Sequence, residues 1–210
     1  MRFFLKLFFA MISILFFQLA HANPASDELT ALLNNIHTLQ ANFHEMVKDT
    51  KGKTLTQSDG KMSLRRPGQF RWDVMQPNRQ LIVTNGQTIW IYDADLQQVT
   101  IRRLQKEAGE VPALLLSNTN ETLTKDFSVE KSGDGKTQWF LLKPKDKSSL
   151  FEEIKLGFDN QQITTMQLQD HLGHVTMIQF SHGVANRQLS AALFAFKAPA
   201  GVDVIDEIKK

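Results

Sequence analysis

From Phe43 onward, apolar and polar residues alternate along most of the chain. That is the period of a strand with one dry face and one wet face. Phe43, Glu45 and Val47 alternate with Asn42, His44, Met46 and Lys48, and a second extended run, Thr54 to Leu64, follows a turn at Lys51-Gly52. Phe70, Trp72 and Val74 alternate with Gln69, Arg71 and Asp73. Leu81 to Thr84 and Gln87 to Tyr92 flank Asn85-Gly86, a strong hairpin signal. Gln97 to Arg103 is a further strand. Phe127 to Lys131 and Thr137 to Leu142 flank Ser132-Gly133-Asp134-Gly135. Phe151 to Phe158, Gln161 to Gln169 and His174 to His182 form a meander turning at Asp159-Asn160, and Leu193 to Phe196 reads as a last strand.

Two segments break the period. Asp27 to Gln40 spaces Leu29, Leu32, Leu33, Ile36 and Leu39 along one helical face, with Ser26 or Asp27 as cap. Val111 to Ser117 has no alternation and carries a proline at a helix-opening position, which predicts a short apolar helix among the strands. About eleven antiparallel strands joined by short turns predict a barrel or a strongly curved sheet. Lys61, Ser63 and Arg65 oppose Met62 and Leu64, while Glu153 and Lys155 oppose Ile154, Leu156 and Phe158. The charged side faces water, so the apolar side lines the interior; a membrane barrel would show the reverse.

Composition narrows the function. Arg2 and Lys6, the apolar run Leu7 to Leu19 and the small-x-small Ala20-His21-Ala22 read as a secretory leader, residues 1–22, cleaved after Ala22. Residues 23–210 then form one domain. The whole chain has 24 Lys+Arg and 22 Asp+Glu; with Arg2 and Lys6 in the leader the remainder is formally neutral, which argues against a nucleic-acid partner. The absence of cysteine excludes disulfides, a thiol nucleophile and self-lipidation after the cleavage site, where Asn23 stands. There is no phosphate loop and no nucleophile elbow, so neither catalysis nor a cofactor is expected. His171 and His174 have a spacing a metal could use, but they read as exposed turn residues and no metal is assigned.

Gly60 to Pro77 contains Arg66-Pro67-x-x-Phe70-x-Trp72. This resembles the hallmark of the LolA-type carriers of outer-membrane lipoproteins. Asn85-Gly86 followed by Trp90-x-Tyr92, the proline-started segment from Val111-Pro112, and Phe194-x-Phe196-x-x-Pro199-x-Gly201-Val202 agree with it, so the resemblance covers essentially the chain beyond the leader. Val202 to Ile208 adds a further apolar alternation.

The resemblance implies a mainly β, unclosed half-barrel with a short α-helical lid and an N-terminal helix. It implies a periplasmic carrier that takes acylated lipoproteins from an inner-membrane ABC transporter and delivers them to an outer-membrane receptor. Exposing an acyl chain costs about 0.8 kcal/mol per methylene, which a greasy cavity removes without chemistry. Candidate lining residues are Met62, Leu64, Phe70, Trp72, Trp90, Ile154, Leu156, Met166, Leu168, Ile178 and Phe180; a solid core would show the same pattern. Pro112, Leu114, Leu115 and Leu116 belong to the lid. Steps of two from Met62 and Leu64 place Arg66 inward at a rim, where it would latch the carbonyls at the end of the lid; the alternative is an arginine that snorkels to water. An exposed edge near Phe70 is the expected docking surface, and a monomer the expected state. The competing readings are a carrier of glycolipid or fatty acid with the same fold, an enzyme with an unrecognised site, and a structural envelope protein.

Overall fold

In the computed structural model, which describes residues 24–104, 112–117, 125–133 and 135–208, one helix precedes a single sheet of twelve strands. Helix α1 (Pro24–Asn34) starts on the proline and buries Leu29, Leu32 and Leu33. It ends six residues earlier than its apolar spacing predicts. Leu39 keeps the helical spacing but lies in β1 (Thr38–Lys48), opposite Leu64, because the chain from Thr38 pairs with strands on both sides.

The strands continue as β2 (Thr54–Arg65), β3 (Gln69–Gln76), β4 (Gln80–Asn85), β5 (Thr88–Asp93) and β6 (Gln98–Arg103). After the lid segment come β7 (Phe127–Ser132), β8 (Gln138–Pro144), β9 (Phe151–Asp159), β10 (Gln162–Asp170), β11 (Val175–Ala185) and β12 (Asp203–Asp206). Their spatial order is β12-β6-β5-β4-β3-β2-β1-β11-β10-β9-β8-β7, and the sheet does not close. The chain leaves β6 near one edge and re-enters as β7 at the other. Of the connection between them, the described residues Pro112–Ser117 set apolar side chains into the concave cluster and form the lid. The Val202 to Ile208 alternation becomes β12, which pairs parallel with β6, so the sheet is not wholly antiparallel.

Two further expectations are corrected. The lid, Pro112–Ser117, is a 3-10 helix and not an α-helix; Val111 and residues 1–23, with the leader, lie outside the described residues. Leu193 to Phe196 is not a strand. Ser190 accepts the Ala192 N–H and opens a 3-10 helix, Ala191–Phe194. From there the chain crosses the convex face. Phe194 is buried beneath the Arg65 guanidinium, 5.2 Å from its ring centroid, and Phe196 packs on Trp90 and Tyr92 at 6.4 and 6.1 Å. This cover explains why Ser63, Val83 and Val99 are buried although they belong to the outer face.

Gly60 in β2 is a close-approach position. Any Cβ there would collide with the Asp73 carbonyl oxygen and the Phe43 ring. That ring stacks on Trp72 with centroids 3.5 Å apart. Gly60→Ala is expected to lose about 1–3 kcal/mol of stability, as overpacking does. The corresponding fall in Tm, read by thermal melting, is about 2–10 °C.

Candidate functional site

Strand register assembles the concave wall in rows. Leu39, Leu64 and Phe70 lie side by side across β1, β2 and β3, and Ala41, Met62, Trp72 and Ile82 form the next row. On the other half, Ile178, Met166, Leu156 and Phe140 form one row, and Leu168, Ile154 and Leu142 another. All of these are buried in one cluster together with α1 and the lid helix, and Phe180 joins it as the most exposed at 9%. The concave face is thus covered in this form, with apolar helices in place of solvent.

Of the expected lining residues, ten face this interior and Trp90 does not. Ile89 and Ile91 hold the inward positions of β5, so Trp90 points to the convex side, where Phe196 covers it. Phe70 is fully buried, so it forms no exposed docking edge in this conformation.

The lid buries Ala113, Leu114 and Leu116, each at 2% exposure or less, and leaves Leu115 partly buried. Its last residue is tied to the motif. The Gly68 N–H donates to the Ser117 carbonyl at 2.8 Å, and the Ser117 hydroxyl donates to the Leu114 carbonyl at 2.8 Å. Gly68 has φ +73°, a conformation glycine adopts without a Cβ penalty. A Cβ there would also press on Gly86 Cα at 3.1 Å, so the Asn85-Gly86 turn and the turn after Arg66 seat each other.

Arg66 sits directly after β2 at this seam. Its backbone N–H donates to the His37 carbonyl at 2.9 Å, and its side chain is half-buried. Burial pulls the guanidinium down to about 10, so it still carries its charge at neutral pH. Arg65 turns the other way and donates to the Leu189 carbonyl at 3.2 Å on the convex side.

One inward polar residue was not singled out from the sequence. Glu45 is opposite Ile178 and Ser58 on the concave side of β1, with Ser58 Oγ 3.5 Å from its carboxylate. Its parity with Phe43 and Val47 carried the signal. Desolvation by burial pushes its carboxyl above the usual glutamate range, against the lowering effect of Ser58. A raised acid pKa means stability that is present below the unfolded value and lost as pH rises through the folded one. Glu45→Gln, which mimics the protonated form, is expected to melt like the wild type below about pH 4. It should melt higher than the wild type near neutrality, in parallel thermal melts across pH.

His171 and His174 do not share a site. His171 Nε2 lies 2.9 Å from the Ser149 carbonyl oxygen, and His174 Nδ1 lies 2.9 Å from an Asp170 carboxylate oxygen. A cavity of about 320 Å³ opens on the convex side, lined by Gln40, Asn42, Lys61, Arg71, Asp73 and His182 among others. Its polar lining suits an acyl chain poorly.

An open β-cup whose apolar face is covered by a short 3-10 helix defines a class of lid-bearing half-barrels. The family model described as "Outer membrane lipoprotein carrier protein LolA" matches residues 34–197. The outer-membrane lipoprotein carrier protein of Pseudomonas paraeruginosa is 41% identical over 191 residues, covering 90% of this chain and 92% of that one. That of Legionella pneumophila is 41% identical over 199 residues, covering 95% and 98%. Among solved structures, a LolA superfamily protein from Nitrosomonas europaea superposes with a TM-score of 0.52 at 15% identity, over 82% of this chain and 98% of that one. The chain belongs to the LolA family.

Proposed function

We propose that this protein is a periplasmic carrier of outer-membrane lipoproteins, holding their acyl chains against the concave face of the cup. The observation that carries the reading is the lid. A short apolar helix covers a wall of aliphatic and aromatic side chains. Displacing it would offer that wall to acyl chains, whose exposure to water costs on the order of tens of kcal/mol for a triacylated lipoprotein. The family assignment supports the cargo class. The carrier acts by binding, without covalent chemistry.

Arg66 is the proposed latch. It follows β2 at the seam where Gly68 already holds the end of the lid, and a charged guanidinium there can stabilise the closed form. Cargo binds the open form, so closure lowers net affinity and favours hand-over. The donor is an inner-membrane ABC transporter and the acceptor an outer-membrane lipoprotein receptor; residues 1–22 direct export and are then removed, and the carrier works as a monomer.

The test is release of a labelled triacylated lipoprotein from spheroplasts by added carrier. A soluble one-to-one complex is the expected result. Uptake of free fatty acid or glycolipid without lipoprotein release would keep the fold and overturn the cargo.

A further inference from the structure

Strand register sets one carboxylate among the apolar rows of the concave wall. Across the sheet, Phe140, Leu156, Met166 and Ile178 lead to Glu45 on β1, and Ser58 of β2 stands on its other side. Along β1 its inward neighbours are Phe43 and Val47. Phe43 and Ile178 are buried members of the central cluster, so an acyl chain resting on either also lies against the Glu45 side chain. Glu45 itself is half-buried in the closed form and keeps part of its water.

Little in its surroundings supports a charge. Ser58 Oγ lies 3.5 Å from the carboxylate, the outer limit of a hydrogen bond. The same-face residues of the flanking strands, Thr56, Ser58 and Gly60 of β2 and Thr176, Ile178 and Phe180 of β11, carry no charge. On β1, His44 and Lys48 alternate to the convex face, His44 onto Asp59. The lid Pro112–Ser117 has no ionisable residue. On α1, Asp27 is exposed and Glu28 pairs with Lys131, which shares the row of Glu45 but stands at the β7 edge. Burial is the larger influence on the Glu45 carboxyl and pushes it upward.

We propose that Glu45 is the affinity-limiting residue of the concave lipid site, its carboxylate making the uptake of acyl chains draw a proton. This rests on the reading of the concave wall as the lipid site. A chain laid along this row strips the remaining water from the carboxylate, which must then bear the desolvation or be protonated from solvent. Only the ionised form pays this penalty. It is absent where Glu45 is already protonated, grows as pH rises through the pKa of the empty carrier, and levels off above that of the loaded one. Near neutral pH the carboxylate keeps the hold on cargo weak, which favours hand-over without a nucleotide.

The test is extraction of a pyrene-labelled diacylglycerol, which has acyl chains and no ionisable group, from phosphatidylcholine vesicles. Loss of excimer fluorescence reads the transfer. Near about pH 8, Glu45→Gln is expected to bind the probe about tenfold more tightly than the wild type, the factor that follows when loading makes the carboxyl hold its proton about tenfold more tightly. The gap should narrow toward about pH 5, as the wild type gains affinity while the variant stays level. Glu45→Asp keeps the charge and should retain the pH dependence.

Equal affinities of wild type and Glu45→Gln at the alkaline end would overturn the proposal. So would a gap of the same size at both ends of the range, which would be an effect of packing and not of charge. Extraction by neither protein would overturn the concave-wall reading on which the proposal rests, and release of lipoprotein from spheroplasts tests the cargo separately.

Discussion

Arg66→Leu is expected to load lipoprotein as well as the wild type and to pass it to the receptor about ten- to a hundredfold more slowly. A charge-assisted hydrogen bond contributes about 1.5–3 kcal/mol, and each 1.4 kcal/mol is about a factor of ten in an equilibrium. On the proposed latch, removing the guanidinium would shift the lid toward its open form by that factor. In that proposal the open form holds cargo, so affinity would rise and release would fall. Leucine keeps apolar bulk at this half-buried position, so the variant should fold; the seam retains the Gly68 to Ser117 hydrogen bond. A time course of transfer from a preloaded complex to receptor-bearing membranes reads the effect. Transfer at the wild-type rate would remove Arg66 from the release step.

Leu114→Asp should produce the larger structural change. Leu114 is 1% exposed within the central cluster. An unpaired carboxylate there costs several kcal/mol, so the lid rather than the sheet gives way. The sheet keeps its cross-strand hydrogen bonds and α1 keeps Leu29, Leu32 and Leu33 in the core. The expected result is a native far-ultraviolet circular dichroism spectrum, strong binding of a hydrophobic dye that the wild type binds weakly, and cargo that loads but does not leave. Weak dye binding with the native spectrum retained would mean that the lid tolerates the charge in place, and that its burial is not what covers the wall.

These two variants probe parts of the fold that differed in how readable they were from the sequence. Strands with one charged and one apolar face were plain in the residues: Lys61, Ser63 and Arg65 against Met62 and Leu64 gave the inner face of β2 directly. Strand β5 did not work that way. Ile89, Trp90, Ile91 and Tyr92 are all apolar, so parity held no information, and Trp90 was placed inward although Phe196 takes it on the outside. The same covering segment concealed itself, because Phe194 and Phe196 share the spacing of a strand while Ser190 starts a 3-10 turn. Leu39 extended the helical spacing by chance of register, and only pairing with β2 and β11 shows it to be a strand residue. Proline at position 112 marked the lid, and the burial of Ala113, Leu114 and Leu116 in the concave cluster shows why the segment is apolar. Gly60 carried no signal at all, since its role is to leave room for Phe43 against Trp72.

The three tryptophans report on the central claim directly. Trp72 faces the concave interior and is 4% exposed. Trp90 lies against Phe196 on the convex side, and Trp139 packs over Gly157 on the outer face of β8 and β9. Single-tryptophan variants retaining one of the three, loaded with a lipoprotein whose acyl chains carry bromine, separate the two faces by heavy-atom quenching. Strong quenching of Trp72 with little change at Trp90 and Trp139 is the predicted result. Quenching of Trp90 or Trp139 while Trp72 stays bright would place the chains outside the cup and contradict the account.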